Sequence, residues 1–259
     1  MSASVTTETL ATIARELREA GRTRVPIEQI TARHPELTVL DAYEIQSLNA
    51  ADRPISGHKI GLTSRAMQEM LGVNEPDYGR LFADELLVSG ESIERAALIA
   101  PRVEPEIAFV LARDLRGPDV TAADVLAATD YVVPSLEVID SRIANWKIAL
   151  ADTVADNASC ARAVLGTQRT QPADVVLAAA AVELRVNGEA VQHGAGAAVL
   201  GHPANAVAWL ANALAPHGVT LEAGQVILPG SLTAAVPLKI GDHVVADFGP
   251  LGTAEVRCS

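Results

Sequence analysis

The chain has 259 residues, 49% of them hydrophobic and 20% charged, with a formal charge of −12. Such a chain is too apolar for disorder and long enough to bury a large core, and its negative field disfavours nucleic acid and anionic membranes as partners. Its longest apolar run, Val175 to Val182, is eight residues and too short for a bilayer, and its two cysteines, Cys160 and Cys258, make neither a disulfide framework nor a metal-type pair. The opening stretch lacks a basic segment followed by an apolar one, so a soluble, cytoplasmic protein is expected.

From Thr6 to Ala20 the apolar residues Leu10, Ile13, Ala14 and Leu17 recur at helical spacing, with Thr6 or Thr7 as cap and Gly21 as stop. Pro26 suits the first turn of another helix, and a further one is expected around Asp41 to Ala51. No linker follows, so residues 1–53 read as a helical segment and 54–259 as the catalytic portion of one continuous structural unit. Ile55 to Thr63 is strand-like, with Lys59 between Gly57 and Gly61, and a helix over Ser64 to Leu71 should stop at Gly72. Val73 to Asp84 is rich in turn formers and reads as a loop over a pocket, carrying Asp77 and Leu81.

Pro101 to Leu111 (PRVEPEIAFVL) has an apolar, partly β-branched second half, so it reads as a buried strand. Alternation along a strand puts Glu104 and Glu106 on one face and Val103, Pro105, Ile107 and Phe109 on the other. A short helix opens at Thr121 to Asp124, and a second apolar strand, Tyr131 to Ile139, carries Glu137. Asp152 to Cys160 is a dense polar run, Val182 to Val191 a hairpin turning at Asn187-Gly188, and His202 to Ala215 a helix with Pro203 in its first turn. Short strands at Val226 to Leu228, His243 to Phe248 and Thr253 to Val256 close the chain. Strands and helices do not alternate regularly, which favours an α+β or rolled, barrel-like mixed β architecture with flanking helices over a doubly wound sheet.

Carboxylates on core strands are unfavourable unless neutralised, either by ion pairing with Arg102 or Arg142 or by a hard cation. Three carboxylates, Glu104, Glu106 and Glu137, leave half an octahedral shell open, as Mg²⁺ or Mn²⁺ requires when substrate oxygens and water fill the rest. Lys59 either snorkels to solvent or, near such a cluster, binds an anion and moves a proton. Asp77, Asp156, Asn157, Ser159 and Ser231 all double as turn or cap residues. Gly194 to Val199 begins like a dinucleotide loop but follows a hairpin and lacks the final small residue; the six histidines show no zinc spacing, and no Gly-x-Ser-x-Gly elbow occurs.

The segments GHKIGLT (57–63), VNEPDYGRLFAD (73–84), PRVEPEIAFVL, SLEVIDSRI, ADTVADNASC, LGHPANAVAWLAN and LPGSLTAAVP together resemble the 2-keto-4-pentenoate (2-hydroxypenta-2,4-dienoate) hydratases of aromatic meta-cleavage pathways, in order and over nearly the whole chain. These enzymes group with 4-oxalocrotonate decarboxylases in the fumarylacetoacetate hydrolase superfamily, whose catalytic fold is a rolled mixed β-structure with flanking helices. The resemblance implies a Mg²⁺ or Mn²⁺ ion on Glu104, Glu106 and Glu137, with Lys59 and Asp77 catalytic and Ser159, Ser231 and Leu81 at the substrate. It also implies homo-oligomers, a small 2-oxo or 2-hydroxy dienoic acid as substrate, and a complex with a pathway partner enzyme. Addition of water is the expected reaction, decarboxylation of 4-oxalocrotonate the alternative, and a non-catalytic partner subunit the third reading. An assembly-only subunit has no physical need for three converging carboxylates.

Overall fold

In the computed structural model, which describes residues 5–64, 68–69 and 72–259, the chain begins with helices α1 (Thr7–Thr23), α2 (Ile30–Arg33) and α3 (Val39–Ala50). The Thr6 hydroxyl accepts from Thr9 N–H at 3.2 Å, and Thr38 with Asp41 forms a capping box on α3. Helix α1 runs past Gly21, the expected stop, because Thr23 Oγ1 bonds Glu19 O at 2.8 Å and Arg22 pairs with Glu19; it ends at Arg24, in the left-handed region at φ 63°. Pro26 does not start a helix either. Its neighbour Ile27 bridges to the 142–144 segment, accepting from Ala144 N–H and donating to Arg142 O, so its backbone is satisfied in an extended form. Among the described residues no helix is long and apolar enough to cross a membrane.

The strands are β1 (Ile55–Gly61), β2 (Asp77–Phe82), β3 (Leu86–Val88), β4 (Ser92–Ile93), β5 (Arg102–Leu111), β6 (Thr129–Ile139), β7 (Cys160–Leu165), β8 (Ala181–Val186), β9 (Glu189–Ala195), β10 (Val226–Leu228), β11 (Val236–Pro237), β12 (His243–Asp247) and β13 (Thr253–Cys258). Between them lie α4 (Ala122–Ala128), α5 (Leu150–Ala155) and α6 (Pro203–Leu214). The helix expected over Ser64 to Leu71 falls largely outside the described residues, where only Gln68 and Glu69 are seen to be helical. The stretch expected as a pocket loop becomes strand β2 from Asp77 onward. The bend is confined to 74–75, while Tyr78, Leu81 and Phe82 are buried and β1 supplies an antiparallel partner even for Asp77 and Gly79.

Two mixed sheets build the α+β fold: one with the path β2-β1-β10-β5-β6-β7-β3 and β11 beside β5, the other with the order β4-β13-β12-β8-β9. The larger sheet curls until β2 approaches β7, yet the two do not pair, so the roll stays an open curl instead of a closed barrel. Leu81, Ala108, Val110, Val133, Ala163, Val226 and Leu228 form one cluster, which places them together on the inner face of the curl. The outer face of the same strands, through Val103, Ile107, Phe109, Val132 and Leu136, packs on α6 and on the second sheet. A separate cluster joins Leu10, Ile13, Leu17, Ile30 and Ile45 of the helices to Ile143 and Val154.

Candidate metal centre

Strand register brings the predicted carboxylates together. In the antiparallel pairing of β5 with β6, Glu104 lies opposite Glu137 and Glu106 opposite Ser135. One oxygen from each of Glu104, Glu106 and Glu137 can be chosen so that all three lie within 4.8 Å of one another. Glu106 and Glu137 are 0% exposed, and Glu104 is partly exposed at the rim. Gly230, at φ 120°, brings its N–H to 2.8 Å from Glu106 Oε2; a Cβ at Gly230 would sit 2.2 Å from Thr63 Oγ1. Glu106 Oε1 and both Glu137 carboxylate oxygens have no hydrogen-bond partner. Buried, unpartnered carboxylate oxygens at this spacing fit a hard divalent cation, whose charge and coordination supply what the protein leaves out.

Lys59 is buried beside them, its Nζ donating to Ala158 O at 2.9 Å and lying 3.4 Å from Glu137 Oε1. The β1–β2 register sets Lys59 opposite Gly79 and Gly61 opposite Asp77. Glycine is needed at 61, where a Cβ would stand 2.2 Å from Asp77 Oδ1, itself unpartnered. These acids outnumber the ammonium, and their proton affinities follow. Burial and then the Glu137 charge push Glu104 up to about 7. Burial and its two carboxylate neighbours push Glu106 well above the usual range, and burial raises Glu137 against the pull of Lys59. Burial alone would depress Lys59, but the charges of Glu137 and Asp77 reverse this and hold its ammonium above the ordinary value. Asp77 is raised by burial, with Lys59 opposing.

The other predicted residues are placed differently. Ser159 is buried at φ 57° with its Oγ 3.5 Å from Thr153 Oγ1. Ser231 Oγ donates to Thr233 O at 2.9 Å and accepts from Thr233 N–H at 3.3 Å, holding the turn that follows Gly230. The Leu81 side chain is fully buried among the apolar residues of the roll's inner face. A 500 Å³ cavity is lined by Thr63, Gln68, Val73, Asn74 and Leu200.

Two residues given little weight by sequence reasoning organise the surroundings. Arg142 pairs with Asp156 and donates to Asp140 O at 2.6 Å and to Cys160 O at 3.0 Å, knotting the end of β6 to the start of β7. Asn157 bonds both backbone groups of Arg80. The sequence signal for Arg142 is a lone arginine just after an apolar strand; for Asn157 there is none beyond its turn propensity.

Residues 58–258 match the fumarylacetoacetate (FAA) hydrolase C-terminal family. The chain is 46% identical over 255 residues to 2-hydroxyhexa-2,4-dienoate hydratase of Comamonas testosteroni, covering 96% of this chain and 97% of the relative. It is 40% identical over 262 residues to 4-oxalocrotonate decarboxylase of Pseudomonas sp. strain CF600, covering 99% of each. Among solved structures, 4-oxalocrotonate decarboxylase from Pseudomonas putida G7, complexed with magnesium and adipate, superposes with a TM-score of 0.95 at 39% identity over 100% of both chains.

Proposed function

Since the chain belongs to the fumarylacetoacetate hydrolase family, we propose that it is a divalent-metal-dependent hydratase adding water to 2-hydroxypenta-2,4-dienoate or a close C5-substituted relative, to give the 4-hydroxy-2-oxo acid. The observation that carries this reading is the convergence of Glu104, Glu106 and Glu137, with Glu106 Oε1 and both Glu137 oxygens accepting no hydrogen bond. These three would hold the ion, Mg²⁺ or Mn²⁺, with Lys59 beside it. When bound, the ion supplies Lewis-acid polarisation that makes C2 of a 2-oxo acid an electron sink.

The protein's own groups then divide the work. The Lys59 ammonium neutralises charge on the substrate carboxylate or 2-oxygen and moves protons at that oxygen, since it is held charged where an anion must sit. Net chemistry runs by loss of the 2-hydroxyl proton and protonation at C5, then attack of water oxygen on C4 and protonation at C3. Asp77, buried with a free Oδ1 across from Gly61, positions or activates that water. Ser159 and Ser231 flank the site as carboxylate-binding or orienting hydroxyls, with Leu81 in the wall beneath. In this role the chain serves aromatic catabolism as a homo-oligomer.

A second reading, decarboxylation of 4-oxalocrotonate, is favoured by the 0.95 structural match and uses the same electron sink. Purified protein with Mg²⁺ or Mn²⁺ is given fresh 2-hydroxypenta-2,4-dienoate and, separately, 4-oxalocrotonate. Loss of dienoate absorbance without CO₂ release supports the hydratase, and CO₂ release from the second substrate alone supports the decarboxylase. Turnover of neither, or turnover indifferent to a chelator, overturns both.

A further inference from the structure

The curled sheet brings β2 and β7 together without pairing them, and the Asn157 side chain, in the turn before β7, reaches across to β2. Asn157 Oδ1 accepts from Arg80 N–H at 2.8 Å and Asn157 Nδ2 donates to Arg80 O at 2.9 Å, the two-bond pattern a neighbouring strand would make. Approach is close enough that a Cβ at Gly79 would stand 2.4 Å from Asn157 O. The turn so clamped, Asn157, Ala158 and Ser159, has three consecutive non-glycine residues in the left-handed region, at φ 54°, 49° and 57°. L-residues rarely adopt this conformation singly, and a run of three persists only where the surroundings impose it. Its product is one carbonyl pointed inward: Ala158 O accepts from Lys59 Nζ at 2.9 Å, while the same Nζ lies 3.4 Å from Glu137 Oε1.

We propose that Asn157 is a positioning residue for Lys59: by stitching the strained turn to the Arg80 backbone it fixes Ala158 O, which in turn aims the ammonium across the carboxylate cluster. This rests on the hydratase reading only for the kinetic consequence; the clamp itself is a statement about Lys59. A loosened turn lets Ala158 O swing away. The ammonium then loses one anchored N–H and its aim, while the three carboxylates, held on β5 and β6 by their own ladder, stay where they are.

The chain has three lysines, Lys59, Lys147 and Lys239, and only Lys59 is buried, so ¹⁵N-lysine labelling isolates its ammonium by NMR. In Asn157→Ala the slowly exchanging Lys59 ammonium signal is expected to shift or vanish. Mn²⁺ affinity, read from free Mn²⁺ by EPR, should stay within about threefold, and kcat for the dienoate should fall about 10–100-fold with little change in KM, as for supporting residues around a metal site. Asn157→Asp, which keeps the acceptor for Arg80 N–H and loses the donor, should recover part of the signal and the rate, and it carries the test if Asn157→Ala does not fold. An unchanged Lys59 ammonium in both variants overturns the clamp, and so does wild-type kcat. A fall in kcat that tracks lost Mn²⁺ affinity overturns the positioning role in favour of general loosening. A perturbed ammonium in a protein whose wild type turns over neither substrate leaves the clamp standing and overturns the hydratase reading instead.

Discussion

Strands β5, β6 and β10 carry two different fillings along one inner face: Ala108, Val110, Val133, Val226 and Leu228 toward one end, Glu104, Glu106 and Glu137 toward the other, with Lys59 of β1 at the boundary, in register with Leu228. On β5 the change takes two residues, from Glu106 to Ala108. The apolar end makes its contribution to stability by excluding water. The acidic end works against it, placing like charges where solvent cannot separate them, and it tolerates this because the apolar end and the outer face hold the strands regardless. The same backbone thus separates holding the roll together from poising it for chemistry.

The largest expected effect breaks the acidic end. Glu106→Gln should lower turnover by more than the about 100-fold typical of supporting residues around a metal site, while the melting temperature of the metal-free protein holds or rises because a repelled charge is gone. Rate and thermal unfolding measured on one preparation check this; a collapse of metal-free stability would erase the contrast. Breaking the apolar end should do the reverse. Val110→Ala, level with Val226 and Gly57 and further from the acids, is expected to remove about 1–3 kcal/mol of stability in denaturant titration, with activity per folded molecule largely kept.

A third prediction sharpens the contrast through pH. The three carboxylates bind protons more tightly folded than unfolded, so their protonation stabilises the fold below the unfolded range, and that gain is lost as pH rises through the folded values, about 7 for Glu104. Metal-free protein should therefore melt lower at about pH 8 than at about pH 5, and added Mn²⁺ should raise the melting point most at the higher pH. Calorimetric scans with and without chelator decide it. The smallest effect lies outside both ends: Thr38→Ala removes the α3 cap and should cost about 1 kcal/mol, a few degrees in melting temperature, with no change in rate.

Much of this was legible in the sequence, for identifiable reasons. Period-two alternation placed Glu104 and Glu106 on one face of β5, and the apolar run around Glu137 announced its strand. Caps at Thr6 and Thr121 announced helices, and Asn187-Gly188 the β8–β9 hairpin. What stayed hidden depends on partners distant in sequence. The stop at Gly21 failed because Thr23 and Arg22 extend the helix by side-chain bonds, and the loop expected over Asp77 became a strand because β1 was waiting to pair with it. Nothing local marks Asn157 as the stitch between two strands, since Arg80 lies 77 residues away. Alternation and pairing account for the acids, whereas nothing local tells that Leu81 turns its side chain to the inner face of β2, because pairing with β1 sets that register.

The bonds between the helices and the roll have a practical consequence for anyone cutting or grafting this chain. Thr31 gives two hydrogen bonds to Asp152, at 2.8 and 2.7 Å, and Gln46 Nε2 reaches Tyr78 O and Val154 O at 3.0 Å each, so helices early in the chain anchor both α5 and β2. A fragment starting at residue 58, where the family match begins, would bare Ile143 and Val154 and strip support from the segment that leads into the Asn157 turn. The length that the family match spans and the length that is mechanically self-sufficient are different, and a transplantable unit is the longer of the two.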